Sequence, residues 1–222
     1  MSRESFQKAI QELEIELVEM GEMVEGAIEQ AVLSLKEKNV SAAEKVITDD
    51  ILINRKRWDI EEKSLALIVT QQPVAGDLRK LISLLNIIVD LERMGDHAEG
   101  IAKITLMIGT KPHVKPLIDI PKMAQKATDM LQRALSAFLN NDADEARQIC
   151  KEDDEIDMLY EQVYHELLSF MIDDPKTITR ATHLIWAAHN LERIADRITN
   201  ICEGSSSLLL ERWNIWMFQG IS

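Results

Sequence analysis

An internal repeat constrains this chain more than any other feature of its sequence. The pattern Leu-Glu-Arg-x-x-Asp occupies residues 91–96 and returns 100 positions later at residues 191–196. A second pattern, an Asp followed by Ile and then by Asn or Asp, occupies residues 50–54 and returns 103 positions later at residues 153–157. A repeat of this length in a chain of 222 residues predicts two copies of one structural unit.

The periodicity within each copy is helical. Apolar residues recur at three- and four-residue steps, as they do on the buried face of an amphipathic helix. Glycine (8), proline (5) and aromatic residues (5%) are too scarce for a β-sandwich or barrel. The sequence predicts six long helices, which run over residues 5–38, 41–70, 73–108, 119–140, 142–172 and 174–203. We therefore expect an all-α fold of two tandem, pseudo-symmetric, antiparallel three-helix bundles.

The boundary between the two units is predicted where prolines cluster. Pro112 and Pro116 lie between the third and fourth helices, and two prolines in five residues are typical of a linker. The predicted division is a first three-helix repeat at 1–110, a linker at 111–118, a second repeat at 119–204 and an apolar C-terminal tail at 205–222.

Charge and composition narrow the range of functions. A formal net charge of -13 disfavours nucleic-acid binding, which requires a basic face. The N-terminus lacks the apolar core of a signal peptide, and no apolar run approaches the roughly 18 residues of a membrane span. We expect a cytoplasmic protein that reaches a membrane only through partners. Cys150 and Cys202 lie far apart without a CxxC pattern, so neither a disulfide framework nor a thiolate metal site is indicated.

The third helix carries two acidic residues beside its predicted apolar stripe. A rotation of about 100° per residue places Glu92 within about 40° of Ile88, and Asp96 within about 80°. Arg93 and His97 are predicted to point to the opposite side. Both carboxylates are therefore expected at the shoulder of the buried face.

The sixth helix repeats this arrangement, with Glu192 and Asp196 beside its stripe. His189 precedes Glu192 by three residues and is either a further metal ligand or a half-buried, hydrogen-bonded histidine. Each half of the chain is thus predicted to carry one acidic pair on its last helix.

The second and fifth helices place polar residues within their apolar stripes. Asp50 and Asn54 fall inside the predicted stripe of the second helix, and Asp153 falls inside that of the fifth, with Asp157 at its edge. The predicted stripe of the second helix comprises Ala43, Ile47, Ile51, Trp58, Leu65 and Ile68.

Such acidic pairs need a compensating interaction. Carboxylates one turn apart repel by a few tenths of a kcal/mol, and partial burial adds several kcal/mol for each unpaired charge. Arginine partners, protonation or a bound cation could offset this cost, and hard cations such as Mg²⁺, Ca²⁺ and Mn²⁺ prefer carboxylate and amide oxygens. An ordinary solvated acidic face is the alternative. The candidate metal ligands are Asp50, Asn54, Glu92, Asp96, Asp153, Asp157, Glu192 and Asp196.

The order of these motifs resembles the PhoU family, the regulatory proteins of phosphate transport systems. The resemblance extends to about Glu203. It rests on the doubled three-helix unit, on the segment at 73–79, and on Glu/Asp-x-x-x-Asp motifs at 92–96, 153–157 and 192–196.

The resemblance implies a non-enzymatic adaptor in phosphate signalling. Such proteins link the nucleotide-binding subunit of the phosphate ABC transporter to a sensor histidine kinase, and they repress the phosphate-starvation response. Homodimers and bound metal ions, divalent ions or iron and zinc among them, are further implications. Asn54 departs from the pattern, since Asp157 stands at the matching position, and an amide is the weaker ligand. The first half is therefore the weaker predicted metal site.

Two other functional classes are compatible with parts of the pattern. A carboxylate-bridged di-metal enzyme would use Glu-x-x-His on two helices. No histidine of this chain has a Glu three residues before it. No nucleophile–base pair or phosphate-binding glycine loop is present either, so an enzyme is not the prediction. A helical scaffold without metal is the second alternative.

Overall fold

The structure is a computed structural model that describes residues 3–209, with side chains as far as Gly204. Within this range it contains no strand, and the predicted all-α fold is confirmed. The helices are α1 (Arg3–Glu37), α2 (Val40–Gln71), α3 (Ala75–Ile108), α4 (Asp119–Asn140), α5 (Ala143–Asp173) and α6 (Ile178–Leu209), with a 3₁₀ turn at Pro175–Thr177 before α6. The helix α6 includes the first five residues of the segment assigned to the tail, and residues 210–222 lie outside the described range. No described helix is long and apolar enough to cross a membrane.

Local chemistry explains where several helices begin and end. The Asn39 side chain accepts a hydrogen bond from the backbone N–H of Ala42 and caps the start of α2. The Asp142 carboxylate accepts from two backbone N–H groups in the first turn of α5. Gly109 ends α3 at a φ of 59°, a conformation that glycine adopts at little cost.

The two three-helix units pack against each other through α3 and α6, and also through α1 and α4. Their buried residues form one continuous core. Gly21 on α1 permits close packing of the second pair, because a Cβ at this position would collide with Leu135 of α4. The core therefore extends across both sequence repeats.

Polar contacts between α3 and α6 follow the pseudo-symmetry of the repeat. Asn190 Oδ1 accepts a 3.0 Å hydrogen bond from His97 Nδ1, and Arg197 Nη1 donates to Asp90 Oδ1 at 3.3 Å. Asp90 and Asn190 are 100 residues apart, as are His97 and Arg197. The repeat therefore relates the two contacts to each other, because Asp90 meets Arg197 while the equivalent Asn190 meets His97. His97 thus faces the other half of the molecule.

The predicted buried face of α2 is wrong. Ile51, Trp58 and Leu65 are 50%, 61% and 48% exposed, although they were assigned to the stripe. The buried face instead contains Ala43, Val46, Ile53, Ile60, Ser64 and Leu67. Both sets have helical spacing, so periodicity alone cannot choose between them.

Ion pairs with α1 accompany the observed orientation of α2. Lys56 pairs with Glu19 at 2.6 Å, and Lys63 pairs with Glu16 at 2.7 Å. With this face against α1, the stripe that contains Trp58 points away from the bundle.

Candidate metal centres

The helices α5 and α6 bring four predicted ligands into one electrostatic cluster. Asp153 and Asp157 lie one turn apart on α5, and Glu192 and Asp196 lie one turn apart on α6. Asp153 and Glu192 are half-buried, while Asp157 lies toward solvent. The second half of the chain therefore brings its four predicted ligands near one another, and we call this group the second cluster.

Burial and mutual repulsion perturb these carboxyl groups. Burial raises the pKa of Asp153 to about 6, and the charges of Asp157, Asp196 and Glu192 act in the same direction. Burial also raises the pKa of Glu192, with a further contribution from Asp196. Asp157 shifts the same way, first through burial and then through Asp196. The second cluster therefore holds more negative charge than its environment stabilises.

Two buried carboxylate oxygens of the second cluster have no hydrogen-bond partner. These atoms are Asp153 Oδ1 and Glu192 Oε2. His189 Nδ1 lies 3.2 Å from Glu192 Oε2, but the contact does not have the geometry of a hydrogen bond. The His189 ring lies 5.9 Å from that of Tyr160. His189 thus stands at the rim of the second cluster, and both of its predicted roles stay open.

The corresponding residues of the first half form a similar cluster on α2 and α3, which we call the first cluster. Burial raises the pKa of Asp50, and the charges of Asp96, Glu99 and Glu92 raise it further. Asn54 Nδ2 donates a 2.7 Å hydrogen bond to Asp50 Oδ2, while Asp50 Oδ1 is buried without a partner. The amide at position 54 therefore stabilises the Asp50 carboxylate, where the second half has another acid.

Glu99 belongs to the first cluster although it was not among the predicted ligands. It lies one turn beyond Asp96 on α3 and pairs with Lys103 at 2.6 Å. Its position could have been anticipated from the spacing 92–96–99 along one helix. The repeat concealed it, because Thr199 occupies the matching position of α6.

Gly95 allows the first cluster to pack closely. A Cβ on Gly95 would lie 3.2 Å from Ile53 Cδ1 and 3.3 Å from Asp50 Oδ1. Ala195 occupies the matching position of α6. Beside Gly95, a cleft of 330 Å³ opens between α1, α2 and α3 and reaches Asp50. The first cluster is therefore accessible from this side.

The arginines of the repeated motif do not point away from the acidic residues as predicted. Arg93 Nη1 donates to Asp96 Oδ2 at 2.9 Å, and Arg193 Nη1 donates to Asp196 Oδ2 at 2.8 Å. The long side chains fold back along their helices, which Cα directions alone cannot predict. Each arginine therefore neutralises part of the outer carboxylate, and Arg93 Nε also lies 3.5 Å from Glu92 Oε2.

The two clusters supply oxygen donors but no closed cage. Among the described residues, no three Asp, Glu, His or Cys side chains converge closely enough to surround one ion. The partnerless oxygens of Asp50, Asp153 and Glu192 nevertheless fit a hard cation, which would replace their missing partners. A cation there would also relieve the mutual repulsion of the clustered carboxylates.

The duplicated architecture has a counterpart among known families. The family model described as PhoU domain matches residues 17–105 and again residues 120–204. Together these segments cover well over half of the chain and correspond to its two halves.

The chain belongs to the PhoU family.

Family relatives match along nearly their full length. The PhoU homologue of Clostridium acetobutylicum, named a phosphate-specific transport system accessory protein, is 36% identical over 210 residues, which are 94% of this chain and 96% of that protein. The PhoU homologue of Aquifex aeolicus is 36% identical over 84% of both chains. PhoU of Escherichia coli K12 is 31% identical over 89% of this chain and 82% of its own.

Solved PhoU structures share the fold. PhoU from Pseudomonas aeruginosa superposes with a TM-score of 0.87 at 31% identity, covering 92% of this chain and 98% of the other. The phosphate transport system regulatory protein PhoU from Streptococcus pneumoniae gives a TM-score of 0.86 at 33% identity, covering 92% and 97%. The six-helix PhoU arrangement thus extends over nearly all of this chain.

Proposed function

We propose that this protein is a non-enzymatic accessory protein of a phosphate transport system. In this role it connects the nucleotide-binding subunit of the phosphate ABC transporter to a sensor histidine kinase and represses the phosphate-starvation response. The observation that carries the proposal is the match to a named phosphate transport accessory protein over 94% of one chain and 96% of the other. Such a role places the protein in the cytoplasm, where both partners expose their soluble domains.

We further propose that the acidic clusters bind metal ions. The ligands would be Asp153, Asp157, Glu192 and Asp196 in the second cluster, and Asp50, Asn54, Glu92 and Asp96 in the first. Buried carboxylate oxygens without partners support this assignment. A divalent cation would supply positive charge there and join α5 to α6, and α2 to α3. Oxygen donors favour Mg²⁺, Ca²⁺ or Mn²⁺, and His189 is the nitrogen donor nearest to the second cluster if iron or zinc binds.

A metal-free helical scaffold is the alternative that one observation favours. The described residues contain no three converging ligands, and Arg93 and Arg193 already offset part of the acidic charge. Elemental analysis of untagged protein separates the two proposals. Metal that is retained by the wild type but lost from the double variant Glu192→Gln/Asp196→Asn supports binding at the second cluster. Wild-type protein that retains no metal would leave the scaffold.

The adaptor role is tested by direct binding. The purified protein is mixed with the transporter's nucleotide-binding subunit and, separately, with the cytoplasmic domain of the kinase, with and without inorganic phosphate. We expect complexes with both, and a phosphate-starvation reporter that stays active when the gene is deleted. No binding to either partner under any condition would overturn the proposal.

The matched control for these assays is Glu62→Gln, which removes one charge from an exposed position of α2 outside both clusters. It should change neither metal content nor partner binding. Light scattering on the same preparations tests the proposed homodimer, and a monomeric mass at micromolar concentration would exclude it.

A further inference from the structure

The cysteines of the chain lie against each other in the folded protein. Cys150 is on α5 and Cys202 is on α6, these two helices pack against each other, and the two thiol side chains lie close enough to interact. Both are free thiols, with Cys150 partly exposed and Cys202 only 1% exposed. The sequence separation of 52 residues concealed this contact. The two helices that hold the second cluster therefore also hold a dithiol.

We propose that Cys150 and Cys202 form a redox site, in which a low-molecular-weight disulfide such as oxidised glutathione converts the two thiols into an intramolecular disulfide bond. The Cys150 thiolate attacks the disulfide, forms a mixed disulfide and releases one glutathione thiolate. Cys202 then attacks the Cys150 sulfur and releases the second glutathione. The two protein thiols lose two electrons and two protons in total, and one oxidised glutathione becomes two reduced molecules.

The surroundings assign different roles to the two cysteines. Cys150 is the more exposed of the two residues, so it reacts first with a reagent from solvent, and the buried Cys202 resolves the mixed disulfide. Closing the bond brings the sulfurs to about 2 Å, and rotation about the Cα–Cβ bond of each cysteine changes the direction in which its sulfur points.

The environment also favours the oxidised form once it has formed. Burial raises the pKa of the Cys202 thiol, and burial together with the charge of Glu203 raises that of Cys150. When the thiolates of the reduced pair are not stabilised, the corresponding disulfide is a weak oxidant and resists reduction. The same effect slows the reaction, since the thiolate is the attacking species. The site is therefore a slow, stable switch.

The bond would tie α5 to α6 about one turn before Asp153. Ile47 and Ala102 stand at the matching positions of the first half, with the same offsets of 103 and 100 residues. Only the helices of the second cluster can be joined in this way. This chemistry needs no metal at either cluster.

The test incubates the full-length protein with oxidised glutathione under native conditions. Peptide mapping without reductant should show one peptide pair joined through Cys150 and Cys202, with loss of both free thiols and their return on reduction. The Cys202→Ala variant should retain one glutathione on Cys150, and the Cys150→Ala variant should stay unmodified. Oxidation of the wild type should raise the midpoint of thermal unfolding by about 5 °C or more.

Three outcomes would overturn the proposal. The first is wild-type protein that stops at glutathione on Cys150. The second is a disulfide that forms only between two molecules. The third is thiol loss that proceeds only as fast as the protein unfolds, measured by circular dichroism on the same samples. The wild-type measurement decides each of them, even if a variant folds poorly.

Discussion

Neutralising Asp153 should stabilise the metal-free protein. In the folded state its carboxylate is half-buried, has one oxygen without a partner, and is repelled by four other carboxylates. The variant Asp153→Asn keeps the shape of the side chain and removes the charge. We therefore expect it to unfold at a higher temperature than the wild type in the presence of a chelator at neutral pH.

The magnitude follows from the shift in pKa. A rise from 3.8 to about 6, at about 1.4 kcal/mol per pKa unit, corresponds to about 3 kcal/mol. Partial exposure and salt screening reduce this to about 1–2 kcal/mol. In a protein of this size each kcal/mol moves the unfolding midpoint by about 2–4 °C. The expected gain for Asp153→Asn is thus about 2–8 °C.

The pH dependence fixes the sign. Between 3.8 and about 6 the folded protein keeps a proton on Asp153 that the unfolded chain has released. The free energy of unfolding therefore falls as the pH rises through this window. The advantage of Asp153→Asn should be complete above about pH 6 and should vanish below about pH 4.

Differential scanning calorimetry in chelator, at several pH values, measures this difference. The control is Glu62→Gln, which also removes one carboxylate charge but at an exposed position of α2, away from the second cluster. If added Mn²⁺ binds at the second cluster, it should stabilise the wild type more than Asp153→Asn. An advantage that persists unchanged in acid, or a variant no more stable than the control, would refute the reasoning.

Three further predictions concern the orientation of α2, the first cluster and the contact between the two halves. Ile60→Ala should lower the free energy of unfolding by about 2–5 kcal/mol, whereas Trp58→Ser on the exposed face of α2 should cost less than about 1 kcal/mol; urea unfolding compares them. Asn54→Asp should raise the affinity of the first cluster for Mn²⁺ in calorimetric titration and lower the stability of the metal-free protein, because it adds a fifth acid and removes the hydrogen bond to Asp50. Arg197→Ala should lower the unfolding midpoint by about 2–4 °C, because the Asp90 carboxylate between the two halves loses its cationic partner.

Each of these predictions has a contradicting outcome. Similar losses in Ile60→Ala and Trp58→Ser would mean that α2 is oriented differently. An unchanged Mn²⁺ affinity in Asn54→Asp would remove the first cluster from the candidate metal sites. Replacing Asp90 by Asn in the Arg197→Ala background should recover part of the stability, and no recovery would show that charge is not the cause.

The acidic clusters were predictable because their spacing lies within single helices. Glu192 and Asp196 are one turn apart whatever surrounds them, and so are Asp153 and Asp157. These two pairs meet because α5 packs against α6. The repeat and the short connection between the two helices predicted this packing. The direction of Arg193 was not predictable, because a long side chain chooses its rotamer from its neighbours.

By itself, the sequence determined the helical class, the duplication and the positions of the acidic pairs. These depend on periods of three to four residues and on a long repeat, both of which are properties of the chain alone. Only the tertiary structure decided that α2 buries Ile60 rather than Trp58, that His97 contacts Asn190, and that Cys150 contacts Cys202. Such contacts join residues of different helices, so they depend on which helix faces meet. Those faces are selected by the packing of all apolar side chains in the core together.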